Sequence, residues 1–394
     1  MSWREWDEAA PVWQRVYESC PDASFFLSPG WVDCWLATFG AELNPEILIF
    51  SSDGGAIGAC LLTRKTEWLR GIPLRRVYLN CAGEDEADGT CIEYNSLLAV
   101  PGSQERVTRA LTSWLGKSSW DELMLQGTID QPAIKLLCDS MGEVEVRSEP
   151  AHHVAFAPLR AKSQDYLSSL SPKSRHHVRR TRRAFEEAGG ECAVRVAQSV
   201  DEALEMLREL AALHQARWEA RGHAGCFSSA KFTAFHERLI RQNFGLIMIF
   251  RVDAGGQTVG LLYCMLHRGW IYHYQSGFCY SLDKRRNPGI LTLYLAIEEC
   301  LRRKDIEGFD FMAGDVEYKR SLSNDPGDRV LSWSVVRRRT PRSLLFVSLR
   351  AINRKFKEMK GRNGQSGTEG GESVQPVDGS EPVQSVPVPG NEGH

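Results

Sequence analysis

Apolar positions along the chain alternate between two periods. Trp3, Trp6, Val12, Trp13 and Val16 recur near helical spacing across residues 3–19, with Pro11 inside the run. A second apolar helix is expected at Trp31–Phe39, with Ser28 as its cap and Pro29 at its first position. Short strands follow at Glu46–Phe50, Ala56–Thr63 and Arg75–Leu79, with Asp53-Gly54-Gly55 as a hairpin turn. Cys81–Thr90, rich in Gly and acid, is expected to be a loop. Helix, strand and helix are then expected at Gln104–Leu115, Glu122–Leu125 and Gln131–Ser140.

Near His152 the pattern starts again. A short helix at Tyr166–Leu170 precedes a basic helix opened by Ser171-Pro172 and closed by Gly189-Gly190. A strand at Glu191–Ala197 leads into a long helix, Ser199–Arg221, where Ser199 and Glu202 have capping-box spacing. After a helix at Lys231–Gln242 come three strands, Leu246–Val252, Thr258–His267 and Trp270–Gly277, turned at Ala254-Gly255-Gly256 and Arg268-Gly269. A helix at Pro288–Arg303 and strands at Gly308–Met312 and Val330–Val336 complete the series. This order implies an antiparallel meander followed by a helical crossover into a neighbouring strand. The first half repeats it loosely, although no sequence repeat is visible. The expected fold is α/β (α+β): two similar units, 1–150 and 151–336, each a mixed, mostly antiparallel sheet flanked by helices.

Two further segments follow. Across 337–360, Arg337, Arg338, Arg339, Arg342, Arg350, Arg354, Lys355, Lys357 and Lys360 face only Glu358, while Leu345, Leu349, Ile352, Phe356 and Met359 follow 4-3-4-3 spacing. That is a basic amphipathic helix, suited to an anionic membrane surface or to a groove on the protein itself. Residues 361–394 hold one Arg against five acids among Gly, Ser, Pro, Val and Gln. Such a tail buries too little apolar surface to offset its ordering entropy, so disorder is expected.

Composition narrows the class. In 394 residues, 42% are hydrophobic and 25% charged, ordinary for a chain with a real core. A net charge of −2 does not steer the whole chain toward nucleic acid. The start lacks the apolar run of a secretory signal, and Leu246–Phe250 falls far short of the roughly 20 residues of a membrane span. The eleven cysteines include no C-x-x-C pair, and Cys60, Cys264 and Cys300 read as small buried hydrophobes in a reducing compartment. A cytoplasmic protein is expected.

Several residues carry candidate chemistry. Lys284, Arg285 and Arg286 precede a helix with Pro288 in its first turn, and Gly289 allows close approach of backbone to a ligand. The unpaired amides and partial positive charge of such a helix start favour phosphate. In the strand before it, Tyr272 and Tyr274 should share one face and His273 and Gln275 the other. His273 could act as a general base or be an ordinary polar neighbour. Asp310 lies in a short apolar strand, where a carboxylate must be paired, with Arg217 for example, or useful. Arg175, Arg179, Arg182 and Arg183 fall near one helical face, either for a phosphorylated acceptor or as a solvated surface. His152-His153 and His176-His177 are adjacent pairs that point apart, so no metal is assigned. No nucleophile motif appears, which favours direct transfer.

Four blocks carry a resemblance. They are Ser174-Arg175 with Arg179-Arg180 and Gly189; Leu213-His214 with Arg217-Trp218, Gly222, Gly225 and Phe227; Tyr272-x-Tyr274-x-Ser276-Gly277 with Pro288-Gly289; and Phe309-Asp310-Phe311-Met312-x-Gly314 with Tyr318-Lys319. In order and spacing they resemble the CelD-like acetyltransferases of the GNAT superfamily, over about residues 165–320. Phe25–Trp31 and Glu93-Tyr94-Asn95-x-Leu97-Leu98 resemble that family's first half. The resemblance implies tandem GNAT units, distantly similar to Fem-type peptidoglycan transferases. It also implies acetyl-CoA or a longer acyl-CoA as co-substrate, and a sugar-linked, lipid-linked or amine acceptor in envelope or exopolysaccharide synthesis. On that reading His273, Asp310 and Tyr318 are catalytic, Tyr318 protonating the leaving thiolate. Tyr274, Ser276, Arg285, Arg286, Asn287, Gly289, Ile290 and Leu291 hold the cofactor, and Arg175, Arg179, Arg217, Trp218 and Lys319 hold the acceptor. The GNAT diphosphate loop reads Q/R-x-x-G-x-G/A; Arg286–Leu291 keeps the Arg and first Gly but ends in Leu. Two alternatives stand beside this: Fem-like transfer from aminoacyl-tRNA, the one case with a nucleic-acid partner, and a non-catalytic GNAT scaffold. The 337–360 helix would add peripheral contact with the inner membrane face.

Overall fold

The computed structural model describes residues 1–324 and 329–351. Helices α1 (Trp6–Glu18) and α2 (Pro29–Leu43) lead into strands β1 (Glu46–Ser52), β2 (Gly55–Leu69), β3 (Ile72–Leu79) and β4 (Leu98–Ala99). Next come α3 (Gln104–Gly116), β5 (Glu122–Ile129), α4 (Pro132–Met141) and β6 (Glu143–Ala155). Helices α5 (Ala157–Ala161), α6 (Tyr166–Ser169) and α7 (Pro172–Gly189) precede β7 (Cys192–Val196), α8 (Val200–Glu219) and α9 (Ala230–Asn243). The chain continues through β8 (Ile247–Ala254), β9 (Gln257–His267), β10 (Trp270–Phe278), α10 (Pro288–Arg302), β11 (Gly308–Ala313), α11 (Glu317–Leu322) and β12 (Arg329–Arg337).

Local chemistry starts and ends these elements as the side chains dictate. Ser28, Ser199 and Asn287 accept hydrogen bonds from the amides of Trp31, Glu202 and Ile290, capping α2, α8 and α10. The hairpin turns carry consecutive positive φ angles at Asp53-Gly54, Gly255-Gly256 and Arg268-Gly269, which match the twist of the strands they join.

The strands form one sheet in the order β1-β2-β3-β5-β12-β6-β11-β10-β9-β8-β7. Its halves repeat one plan. The antiparallel meander β1-β2-β3 crosses through α3 into β5, parallel to β3; the meander β8-β9-β10 crosses through α10 into β11, parallel to β10. The expected tandem arrangement is therefore present. The halves are joined by β12, which pairs with both β5 and β6, so the expected unit boundary at 150/151 falls inside β6. That strand escaped the sequence reading although Glu143–Arg147 alternates polar and apolar residues: the run is short, Val144 and Val146 are exposed rather than in a core, and Ser148–His153 breaks the period.

One core is shared by α1, α2, α8 and α9 on a single face of the sheet, where the Trp31 and Phe235 rings lie 4.8 Å apart. On the other face α7 and α10 cover the second half, and α3 and α4 the first. All eleven cysteines are free thiols, and Cys60, Cys264 and Cys300 are buried as expected. Among the described residues no helix is long and apolar enough to cross a membrane.

Arg337 lies in β12, bonded to Glu122 and Glu145, rather than in a helix. Residues 341–351 are helical and dock on their own first unit, burying Phe346 against Ile72 and Leu74. Of the expected stripe, Leu349 packs there half-buried, while Leu345 is 53% exposed and Phe346, one residue beyond it, takes the buried position. Ile352, Phe356, Met359 and the 361–394 tail lie outside the described residues.

Candidate functional site

Strands β10 and β11 pair in parallel over only three positions, Trp270↔Gly308, Ile271↔Phe309 and Tyr272↔Asp310. Beyond them β10 stays with β9 and β11 stays with β6, so the pair opens. Two irregularities shape the opening. Tyr274 is an extra residue in β10, between His273↔Cys264 and Gln275↔Tyr263. In β11, Met312 sits at φ 62°, and its amide donates to Asp310 Oδ1 at 2.7 Å.

The bulge overturns half of the expected alternation: Tyr272 and Tyr274 do share a face, in the core with α2 and α9, but His273 and Gln275 part. His273 packs against Phe309, its ring centroid 6.1 Å away, toward α10. Gln275 does not share that face: one extra residue reverses the alternation beyond it. Gln275 instead lines a cleft of about 540 Å³ on the α8 side, with His214, Trp218, Gly225, Phe232 and Cys91. Gly277 follows on the same side, where a Cβ would meet the Leu210 carbonyl oxygen at 2.5 Å, so α8 can approach only a glycine there. Gln275 Oε1 and His214 Nδ1 are buried and have no hydrogen-bond partner among the described residues. Trp218 thus lines the cleft, while Arg217 stacks 4.2 Å over Tyr280. Arg175 and Arg179 are elsewhere. They lie on α7, across the sheet, and Arg175 Nη1 donates to the Ser168 and Leu170 carbonyls.

The Thr90–Tyr94 segment of the first unit spans the opening. The Tyr274 hydroxyl donates to the Thr90 carbonyl. Tyr94 donates to Asp310 Oδ2 at 2.7 Å, and its ring centroid is 5.5 Å from that of Tyr272. Between them Glu93 Oε2 accepts the Ala313 amide at 2.9 Å. The next amide, Gly314, bonds Pro150 on the β6 side, so Glu93 occupies the opposite, β10-facing edge of β11. Lys319 Nζ donates to the Ala313 carbonyl and, at 3.4 Å, to that of Met312.

The electrostatics follow from burial. Burial raises the Asp310 carboxyl above its usual range; Tyr94, Arg329 and the Met312 amide oppose the rise. Its cation is Arg329, at 3.2 Å, in place of the expected Arg217. Burial also pushes Glu93 up to about 7, with Lys319 pulling it down. His273 moves the other way. Burial, aided by Lys319, drops it to about 3, which leaves a neutral imidazole whose buried Nε2 has no hydrogen-bond partner among the described residues. Tyr318 is buried in the second-unit core, 6.3 Å from the Phe311 ring.

The β10–α10 turn is open to solvent, with Lys284 and Arg285 exposed. Arg285 pairs with Asp283 and Glu187, and Arg286 lies 3.7 Å from Asp283. Asn287 occupies the Ile290 amide, and the Ile290 and Leu291 side chains belong to the core. Ser276 is half-buried on β10. Gly289 packs under Phe278, which a Cβ would touch at 3.4 Å. Among the described residues no group of three or more His, Cys, Asp or Glu could hold a metal ion.

Residues 172–320 match the family described as "Acetyltransferase (GNAT) domain". No curated protein matches the sequence. A conserved protein of unknown function from Bacteroides thetaiotaomicron VPI-5482 superposes with TM-score 0.50 at 9% identity, covering 86% of this chain and 98% of that one. FemX superposes with TM-score 0.51 at 11% identity, covering 82% and 95%. At such identities the likeness is one of fold alone. The sequence match is what gives the class: this chain carries a GNAT acetyltransferase domain on a tandem GNAT-like frame, and it is an acyltransferase.

Proposed function

We propose that the protein transfers an acyl group from an acyl-CoA to an amine or hydroxyl of a sugar-linked or amine acceptor, by direct attack on the thioester. The resemblance to CelD-like proteins favours an acceptor from envelope or exopolysaccharide synthesis. The observation that carries the reading is the early parting of β10 and β11. It leaves the edge of β10 beyond Tyr272 without β11 as a partner, where an extended amide-bearing arm such as pantetheine would lie, beside a cleft of about 540 Å³. The diphosphate would lie against the exposed turn, where Arg285 and Arg286 stand before α10 and the positive end of the helix adds attraction. The acceptor would enter the cleft, where Gln275 Oε1 and His214 Nδ1 have no hydrogen-bond partner among the described residues.

Thermal melting with acetyl-CoA and longer acyl-CoAs tests this. A ligand that binds only the folded chain at about 100 times its Kd adds about 2.7 kcal/mol of stability. A rise in melting temperature, reduced in Arg286→Glu, is the expected result. No response to any acyl-CoA would contradict the reading. A response to aminoacyl-tRNA instead would favour transfer of the Fem type, for which the exposed cations of α7 offer a surface.

A further inference from the structure

Glu93 is the only acidic side chain that the Thr90–Tyr94 segment brings to the β10–β11 opening. It is 1% exposed. One oxygen is fixed by the Ala313 amide; the other, Oε1, is buried without a hydrogen-bond partner among the described residues. A buried carboxylate oxygen left unpaired costs stability, and such costs persist where they serve a task. Its neighbours across the segment do not share this state: the Thr90 amide and hydroxyl donate to Glu84, its carbonyl accepts from Tyr274, and the Tyr94 hydroxyl donates to Asp310.

We propose that Glu93, carried across from the first unit, is the catalytic base for acyl transfer in the second, an inference that rests on the acyl-CoA reading above. The acceptor nitrogen or oxygen attacks the thioester carbonyl carbon, forming the new C–N or C–O bond. Its proton passes to Glu93 Oε1. The tetrahedral centre then collapses, the C–S bond breaks with its electron pair on sulfur, and the thiolate takes up the proton from Glu93 or from solvent. The charged groups facing Glu93 suit the task. Lys319 from α11 favours its anion, while Asp310 from β11 and Glu149 from β6 disfavour it. The carboxyl therefore titrates near the working range of a general base. His273, behind β10, is far less basic in its site.

Glu93→Gln separates this role from that of a structural hook, because a glutamine oxygen can still accept the Ala313 amide but takes no proton. The linkage sign gives an independent readout. A carboxyl raised in the folded state contributes stability fully below its ordinary pKa of about 4.3 and loses that contribution as pH rises through about 7. Glu93→Gln should therefore melt no lower than wild type at pH 8.

The experiment measures acetyl-CoA binding by calorimetry and thiol release from acetyl-CoA with glucosamine as the probe acceptor, across pH 5–9, for wild type and Glu93→Gln. We expect equal binding, a loss of thiol release of about 100-fold or more, and loss of the rising limb of the pH profile near neutrality. A Glu93→Gln variant that binds acetyl-CoA and keeps both rate and limb overturns the role of Glu93 and leaves acyl transfer standing. A wild-type chain that neither binds acetyl-CoA nor releases thiol overturns the acyl-CoA reading, and this inference with it.

Discussion

The two parallel strand pairs began from one plan and ended differently. In the first unit β3 and β5 pair at Arg76↔Glu122, Val77↔Leu123 and Tyr78↔Met124, three positions, as β10 and β11 do. There the gap beyond them is sealed by the chain itself. Asn95 bridges to Thr128 in parallel, and its amide donates to the Gly127 carbonyl at 2.9 Å. Its side chain donates to the Leu79 carbonyl at 3.2 Å and accepts from Asn80 at 2.6 Å. Among the described residues the corresponding gap in the second unit receives no strand; the Glu93 carboxylate, the Tyr94 hydroxyl and the Lys319 ammonium enter it instead. Three consecutive residues make the difference: Asn95 closes one gap, Tyr94 ties the units together at Asp310, and Glu93 enters the other gap. One gap is closed by backbone pairing; the other stays open around a carboxylate with one oxygen unbonded among the described residues, and it is there that we propose the chemistry.

Gly127 is where this comparison breaks most easily. It holds φ 57°, and a Cβ there would collide with the Ile92 carbonyl and stand 2.9 Å from Glu93 Cα. Gly127→Ala combines left-handed strain with displacement of the segment, a cost of about 3 kcal/mol. A lowered denaturation midpoint together with lost thiol release is expected; a variant as stable and active as wild type would show that the segment need not lie there. Asn95→Ala is milder. It leaves the buried Leu79 carbonyl without that donor, a cost of about 2 kcal/mol. Acetyl-CoA affinity should not change, because the gap it disturbs takes no ligand. Weaker binding in proportion to lost stability would erase the distinction between the two gaps.

Much of the frame was readable from side-chain period and turn chemistry. The meanders, the crossover helices α3 and α10 and the glycine turns are dictated locally. Three features were not. β6 alternates only over Glu143–Arg147, where Val144 and Val146 stay exposed, and loses its period through Ser148–His153. The bulge at Tyr274 leaves no mark in period, so Gln275 was placed on the wrong face. Tyr94–Asp310 and Glu93–Ala313 join residues more than 200 positions apart. Glu93-Tyr94-Asn95 did stand out as part of a family-like block, but no local rule says that adjacent side chains serve different units. Asp310 was legible as a buried carboxylate needing a partner; Arg329 was not, because it arrives on a strand inserted between the halves.

Hydrogen exchange with and without acetyl-CoA tests the central claim most directly, since it reads which strand pair accepts the ligand. The account predicts slowed exchange in Gln275–Phe278 and Met312–Gly314, with no change in the first unit's own pair, Arg76–Asn80, Asn95–Leu97 and Gln126–Thr128. Slowed exchange in the first unit's strand pair, with the second unaffected, would contradict it.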